Sequence, residues 1–507
     1  MNFERIFNLN HFQSDRSIVF AAWAGEEMGL VGSRYYTEHP LFPLEKSAVY
    51  MNMDMVGTGD EDLFVGGMWE FSDLYDLIKN NMSESLKEKL RYRLNYRGSD
   101  HSSFIRKGVT SISLRSGNPL TRELDDEHPE YHYPGDTSET IQPELLQLAA
   151  EYHQEVITFL GNTKENLLDP IHHTNFIHKD STLVDLHCDT IGRFLAGQDL
   201  KLDNPQGHID IPKLKQGAVD LQVFACYVAP PENETQKNQA ANRAFDQIDA
   251  VHQLVEENPD DLLLVLSPDD LRQIRGTRKT GVFIGIEGGY AIENDLRLLR
   301  SFYRNGVRLM TLTHWTHTDW ADASGDPEPT YGGLTEFGEQ VIQEMNKLGM
   351  IIDVSHAHDD TFWDVIELTD SPIVASHSCA RALSDHHRNM SDEMLKALAK
   401  NGGVIGVNFY PGFLKAEESG ESPPRVDVKT VVDHIDHIVK VTGKADYVGL
   451  GSDFDGIGIP PVGLENIGYM ANITAELVKR EYKDADIKKI LGGNFLRVFR
   501  KVSSKNN

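Results

Sequence analysis

The sequence is poor in cysteine and has no long apolar run. Its 507 residues include three cysteines, Cys188, Cys226 and Cys379, and none of them forms a CxxC pair. A disulfide framework and a cysteine-based zinc site are therefore not expected. No apolar run approaches the ~20 residues of a membrane helix, so we expect no membrane span. Residues 1–15 contain no signal-peptide core, so the sequence as written predicts a cytoplasmic protein unless an export signal lies upstream.

Positive charge is also scarce. The chain carries 49 Lys and Arg against 78 Asp and Glu, for a formal net charge of −29. A general nucleic-acid binder needs a basic face that neutralises phosphates, so we expect no nucleic-acid partner. At roughly 150 residues per domain, the length predicts two or three domains.

The C-terminal part alternates apolar, β-branched runs with helix-sized spacers. This pattern predicts a (β/α)8 barrel of the TIM type. Amphipathic spacers are clearest at 295–305, 336–348 and 391–399. The eight predicted strands are 183–186, 219–228, 281–286, 307–312, 350–354, 372–375, 403–407 and 447–450.

Polar residues follow these predicted strands at the end where a barrel places its active site. Three imidazoles and two carboxylates among them suit zinc. They are too many for one tetrahedral ion with an open position, but they suit two ions that share a bridging carboxylate. Two such ions would lower the pKa of a shared water and generate a hydroxide nucleophile. The candidate ligands are His187, Asp189, Glu287, His356 and His377, with Glu287 as the bridge.

Seven motifs of this part, in this order, resemble the renal (membrane) dipeptidases. They read DLHCDT, GIEGG, MTLTH, DVSH, ASHS, HRN and GSDFDG, from Asp185 to Gly456. The resemblance implies the same five zinc ligands, two Zn²⁺ ions, a dipeptide substrate and a possible homodimer. It further implies that His314 contacts the scissile carbonyl, Arg388 holds the substrate carboxylate and Asp453 shuttles the proton. From the residues alone, Arg381 competes with Arg388, and spacing does not separate Asp453 from Asp455.

The N-terminal part predicts an α/β layer, with strands at 16–23 and 47–56 and helices at 71–90 and 142–160. Its motifs WAGEEMGLVGSRYY, NMDMVG, SDHSSF and YHYPGDT resemble the later motifs of the co-catalytic zinc aminopeptidases. The resemblance implies that Glu26 is a general base and that Glu27, Asp54 and His132 are zinc ligands. The family's first metal-binding segment, which carries the bridging Asp, has no match before Arg16. We therefore expect a truncated, inactive domain.

The sequence predicts an aminopeptidase-like domain at 1–162, a linker at 163–181 and a dipeptidase barrel at 182–507. The favoured function is a zinc-dependent dipeptidase. Alternatives are an amidohydrolase acting on a non-peptide amide or lactam, a non-catalytic peptide-binding scaffold, and a chain in which both halves are active. Many amidohydrolases bridge their metals with a carbamylated Lys, and no Lys ends these eight runs.

Overall fold

The computed structural model describes residues 14–58, 63–66, 72–92, 99–105, 107, 109–116, 135, 137–164, 167, 174, 177–230, 239–274, 277, 279–326, 328–416 and 423–504. The chain divides into two compact units, Met1–Phe176 and Ile177–Asn507. The boundary falls inside the predicted linker. His178 lies within this linker and is buried. Its ring nitrogens form hydrogen bonds with Thr474 Oγ1 at 2.8 Å and with the Gly217 carbonyl oxygen at 2.9 Å. The proposed domain limits stay a prediction.

The first unit contains a four-stranded mixed sheet in the order β1-β4-β2-β3. The pairs β1–β4 and β2–β3 are parallel, and β2–β4 is antiparallel. The strands are β1 Tyr50–Met53, β2 Leu63–Gly66, β3 Leu90–Tyr92 and β4 Ser111–Ser116. The helices are α1 Val31–Glu38, α2 Ser72–Asn80, α3 Glu84–Lys89, α4 His101–Ile105 and α5 Pro143–Asn162, with 3-10 turns at Leu44–Lys46 and Ser138–Thr140.

Two predictions for this unit are wrong. Residues 16–23 form no strand, and Val19 keeps 57% of its surface exposed. An apolar run becomes a buried strand only when a neighbouring strand takes up its backbone hydrogen bonds, and the sheet of the described residues does not include this segment. The single helix predicted at 71–90 is two helices followed by a strand.

The second unit is a closed barrel of eight parallel strands. Its strands run in the order β6-β5-β13-β12-β11-β10-β9-β8, and the pairing of β6 with β8 closes the ring. A further strand, β7 Leu262–Leu264, pairs with β8. The barrel strands are β5 Leu183–Cys188, β6 Val219–Tyr227, β8 Thr280–Glu287, β9 Val307–Thr311, β10 Ile351–Asp353, β11 Val374–Ser378, β12 Val404–Val407 and β13 Val448–Leu450. The predicted barrel is confirmed; β7 was not predicted.

Helices alternate with these strands, and local signals define their ends. The Ser391 side chain accepts a hydrogen bond from Met394 N at the start of helix α13, Asp392–Asn401. Gly402 ends that helix in the left-handed conformation. The helices are α6 Ile191–Leu195, α7 Ile211–Gln216, α8 Ala240–Glu257, α9 Leu271–Ile274, α10 Leu296–Arg304, α11 Glu336–Leu348, α12 Asp359–Leu368, α13 Asp392–Asn401, α14 Pro411–Leu414, α15 Val428–Thr442, α16 Ala471–Lys479, α17 Asp484–Lys488 and α18 Asn494–Ser503. Shorter turns lie at Gly289–Ile292, Ala445–Tyr447, Ile467–Tyr469 and Lys489–Gly493.

The apolar core lies at the end of the barrel where the strands begin. Side chains from seven of its strands form one buried cluster with α18. Phe283 of β8 packs edge-on against Phe495 and Phe499 of α18, with ring centroids 5.6 and 5.1 Å apart. Because this end is filled with apolar side chains, the polar residues collect at the carboxyl end of the strands.

No helix among the described residues combines the length and apolarity that crossing a membrane requires.

Replacing Phe283 with Ala should destabilise the barrel by about 3–5 kcal/mol, because the truncation leaves a cavity among rings that cannot close in. Leu202→Ala is the matched control, since Leu202 is 62% exposed. Denaturant unfolding of the full chain measures both variants. Equal midpoints for the two would contradict this account of the core.

Candidate metal centre

Six strand ends bring polar side chains to the carboxyl edge of the barrel. His187 and Glu287 lie at the ends of β5 and β8, and His377 lies in β11. His314, His356 and Asp453 follow β9, β10 and β13 by three residues each. His356 and Asp453 adopt the left-handed conformation, with φ of 66° and 63°. Such backbone is costly for non-glycine residues and is typical of functional sites.

Glu287 is the centre of this cluster. Its Oε2 lies 3.5 Å from His187 Nε2, and its Oε1 lies 3.1 Å from His356 Nε2 and 3.3 Å from His377 Nε2. His314 Nε2 is 3.9 Å from the same Oε1. The two oxygens of one carboxylate therefore face different histidines, which is the geometry of a bridge between two positions.

Asp189 and Asp453 complete the side of the cluster next to His187. Asp189 Oδ2 lies 3.7 Å from His187 Nε2. Ligand atoms of His187, Asp189 and Asp453 all lie within 4.8 Å of one another. Asn408, directly after β12, donates to Asp453 Oδ2 at 2.9 Å. Asn408 was not predicted as a site residue, although Asn408 is a polar residue directly after a predicted strand.

The spacing of the donor atoms fits a metal centre. Donors about 2.0–2.2 Å from one tetrahedral ion lie roughly 3.3–3.6 Å from each other. The contacts of Glu287 with His187 and His377, at 3.5 and 3.3 Å, fall in this range and are longer than ordinary hydrogen bonds. Two further groups of candidate ligands are His187, Glu287 and His377, and Glu287, His314 and His356.

Burial strongly perturbs these side chains. It lowers the pKa of His377 to about 3 and that of His356 well below its ordinary value. Burial opposes the ionisation of Glu287, but the positive charge of the adjacent His187 holds its pKa well below the usual range. The carboxylates of Glu287 and Asp189 in turn raise the pKa of His187 well above its ordinary value. The neutral imidazoles of His356 and His377 beside an ionised Glu287 are suitable donors for a divalent cation, and a bound cation would take the place of the proton on His187.

Two arginines near the cluster differ in their engagement. Arg381 makes a bidentate ion pair with Asp359, with both contacts at 2.7 Å. Arg388 is 3% exposed, and its terminal nitrogens contact the His377 carbonyl at 3.2 Å and Ser378 Oγ at 3.5 Å. Its Nε is buried and has no hydrogen-bond partner among the residues that the structure describes. Arg388 is thus the arginine with donors left for another anion.

Asp453 and Asp455, which the sequence did not separate, have different surroundings. Asp455 accepts hydrogen bonds from Thr190 Oγ1 at 2.7 Å and from Arg193 at 2.8 Å. Asp453 faces the cluster, where burial raises its pKa to about 7. The geometry therefore separates a structural carboxylate from one beside the candidate ligands.

The N-terminal candidate residues that the structure describes form no comparable cluster. Glu26 and Glu27 lie in the turn before α1, and Asp54 follows β1. His132 lies outside the described residues. Of the acidic, histidine and cysteine side chains that are described, those that could jointly hold an ion all belong to the barrel.

Comparison with protein families gives two matches. Residues 171–507 match the model of membrane dipeptidase (peptidase family M19), which is more than half of the chain. The chain belongs to the membrane dipeptidase family. Residues 1–157 match the model of peptidase family M28, so the N-terminal part is zinc-aminopeptidase-like, as predicted. Membership of a metallopeptidase family implies metal dependence, and the candidate ligands of the barrel agree with it.

Individual relatives show the same likeness. Dipeptidase 3 of Mus musculus is 37% identical over 310 residues, and Dipeptidase 3 of Homo sapiens is 36% identical over 310 residues. Each alignment covers 60% of this chain, and it spans 60% and 61% of the length of those two relatives.

Solved structures resemble the barrel over nearly their whole length. The probable dipeptidase PvdM from Pseudomonas aeruginosa matches with a TM-score of 0.61 at 27% identity, over 66% of this chain and 99% of that protein. A metallo peptidase from Rhodobacter sphaeroides, liganded with a phosphinate mimic of the dipeptide L-Ala-D-Ala, matches with a TM-score of 0.59 at 25% identity, over 64% of this chain and all of that protein. These matches confirm the fold of this membrane dipeptidase family member.

Exchanging Glu287 for Gln should remove at least one bound metal per chain, because a neutral amide cannot serve as an anionic bridge between two cations. Metal content by mass spectrometry after gel filtration measures the loss. Glu367→Gln, on the exposed face of α12, is the control and should keep its metal. Full metal content in Glu287→Gln would contradict the bridging role.

Proposed function

We propose that the barrel is a zinc-dependent dipeptidase, with His187, Asp189, Glu287, His356 and His377 as ligands of two Zn²⁺ ions. The observation that carries the proposal is the position of Glu287, whose two oxygens face His187 on one side and His356 and His377 on the other. When bound, two such ions would supply a hydroxide nucleophile at neutral pH and polarise the scissile carbonyl.

Arg388 would limit the substrate to short peptides by holding its terminal carboxylate. The guanidinium is buried beside the cluster, 5.3 Å from the Phe413 ring, and its Nε has no hydrogen-bond partner in the described part of the chain. A buried arginine binds a carboxylate strongly and in a defined orientation. Arg388 lies next to the candidate ligands. A peptide whose carboxylate is bound there therefore has only a short stretch of backbone between that carboxylate and the bond to be cleaved.

His314 would stabilise the oxyanion that forms when the amide is attacked. Burial lowers the pKa of its imidazole to about 4, so the ring is neutral and has one N–H to donate. Tyr227 packs against it with ring centroids 4.7 Å apart. A donor held in place before the reaction is worth several kcal/mol of transition-state stabilisation.

Asp453 would move the proton from the attacking water to the leaving amine. Its raised pKa of about 7 suits a group that both accepts and donates a proton near neutrality. The hydrogen bond from Asn408 fixes its orientation. Asp455 is held by Thr190 and Arg193 and is not available for this role.

We further propose that the aminopeptidase-like unit is inactive. Support comes from the candidate ion-binding groups, because among the described residues those groups all belong to the barrel. Glu26, Glu27 and Asp54 belong to none of them.

The function is tested by assaying the purified chain against dipeptides and against aminoacyl-nitroanilides, together with zinc per chain. We expect the wild-type chain to bind two zinc ions, to cleave dipeptides and to leave nitroanilides intact. Glu287→Gln should lose dipeptide cleavage and at least one of the zinc ions. Nitroanilide cleavage that survives in Glu287→Gln but disappears in Glu26→Gln would show that the N-terminal unit is active. Zinc binding without turnover of any dipeptide would favour the scaffold or lactam alternatives.

Replacing Arg388 with Ala should lower kcat/KM for dipeptides by about 30- to 1000-fold, the range that loss of a buried charge contact of about 2–4 kcal/mol produces. Dipeptide amides, which lack the carboxylate, should be affected far less.

Two further arginine variants complete this test. Arg381→Ala breaks the pair with Asp359 and should retain the preference for a free carboxylate. Arg304→Ala, at the exposed end of α10, controls for loss of charge. If Arg381→Ala abolished the discrimination between acids and amides while Arg388→Ala kept it, the assignment would be reversed.

A further inference from the structure

A buried carboxylate lies behind the candidate ligands and is not part of the proposed reaction. Asp353 ends β10 and is fully buried. Its Oδ1 accepts hydrogen bonds from the backbone of Ser355 at 3.0 Å and of Ser376 at 2.9 Å. Its Oδ2 accepts from the Ser376 hydroxyl at 2.6 Å and from the Thr311 hydroxyl at 2.5 Å. These four donors are neutral, so the carboxylate is solvated by oriented dipoles.

The Ser376 hydroxyl connects this carboxylate to a candidate ligand. Ser376 Oγ lies 2.8 Å from Nδ1 of His377 and 2.6 Å from Asp353 Oδ2. An ionised carboxylate only accepts hydrogen bonds, and a hydroxyl has one proton to donate. Ser376 therefore donates to Asp353 and can only accept at its contacts with His377 Nδ1 and, at 3.4 Å, with Ser355 Oγ, so Nδ1 of His377 carries the proton.

The tautomer of His377 follows from this direction. A neutral imidazole protonated at Nδ1 has its lone pair at Nε2. Nε2 is the atom that faces the cluster, 3.3 Å from Glu287 Oε1 and 3.0 Å from His356 Nε2. The hydrogen-bond chain thus leaves the lone pair where an ion would sit.

We propose that Asp353 and Ser376 form a relay that holds His377 in the Nδ1–H tautomer and prepares its Nε2 to bind metal. Both are positioning residues, since they act on the ion through His377. The inference rests on the proposed function, because His377 is one of the five proposed zinc ligands. Partners of this kind typically change metal affinity by about 10- to 100-fold when removed.

The chain offers a matched control in Ser355. It is as deeply buried as Ser376 and lies on the same end of the barrel. Its Oγ accepts from the backbone nitrogen of His377 at 3.0 Å rather than from the imidazole, and its contact with Ser376 Oγ is long, at 3.4 Å. A purely structural role predicts similar effects for Ser355→Ala and Ser376→Ala, whereas the relay predicts that only Ser376→Ala weakens metal binding.

Asp353→Asn gives a second and stronger test. An Asn amide can donate to Ser376 Oγ, which frees the hydroxyl proton to point at His377 Nδ1. That reversal favours the Nε2–H tautomer, which has no lone pair for the ion. Asp353→Asn should therefore weaken binding at least as much as Ser376→Ala, and the double variant should be no worse than Asp353→Asn alone.

The experiment measures zinc dissociation constants of the full-length apoprotein by competition with a chromophoric chelator, and the visible spectrum of the Co²⁺ form. Unfolding midpoints of the apoproteins report any general damage. We expect affinity at one site to fall about 10- to 100-fold in Ser376→Ala and Asp353→Asn, with less than about a threefold change in Ser355→Ala.

Each remaining outcome overturns a defined statement. Equal loss in Ser376→Ala and Ser355→Ala, or unchanged affinity in a folded Asp353→Asn, overturns the relay. If the wild-type chain binds two zinc ions and cleaves dipeptides while these variants keep their affinity, only the relay is overturned. A wild-type chain that binds no metal overturns the relay and the proposed function together.

Discussion

The sharing of one carboxylate between histidines from different strands is the interaction on which the site depends. Glu287 lies against His187 through one oxygen and against His356 and His377 through the other. A buried carboxylate surrounded by imidazoles is tolerable only when cations or protons balance it. The arrangement therefore requires positive charge nearby, and divalent cations would supply it while leaving the histidines neutral.

The barrel makes this crowding possible. Parallel strands place their carboxyl ends at one edge, so residues more than two hundred positions apart in sequence meet within hydrogen-bonding range. The apolar cluster around Phe283 and α18 fills the opposite end and lets strand ends be polar without weakening the core. Buried carboxylates one layer below, Asp185 and Asp353, accept backbone and hydroxyl donors from neighbouring strands. They tie the loops that carry the ligands to the rigid part of the fold.

The two units of the chain contrast in how complete their sites are. In the barrel, every proposed ligand lies among the described residues, and each has a defined neighbour. In the first unit, Glu26, Glu27 and Asp54 follow the motifs of peptidase family M28, whose model matches residues 1–157. Motif likeness shows ancestry in both units. A working two-metal site also needs an anion shared by its ions, and among the described residues the barrel supplies the candidate for it.

The sequence by itself determined the eight barrel strands, since eight apolar, β-branched runs with helix-sized spacers are typical of a (β/α)8 barrel. It also placed His187, Glu287 and His377 at strand ends. It failed at 16–23, where apolarity predicted a strand that finds no partner in the described sheet. Only the tertiary structure separated Arg388 from Arg381 and Asp453 from Asp455, and only it revealed Asn408 and the chain from Asp353 to His377. Those distinctions depend on which distant side chains occupy each group's hydrogen-bonding positions, and strand spacing carries no information about contacts between strands.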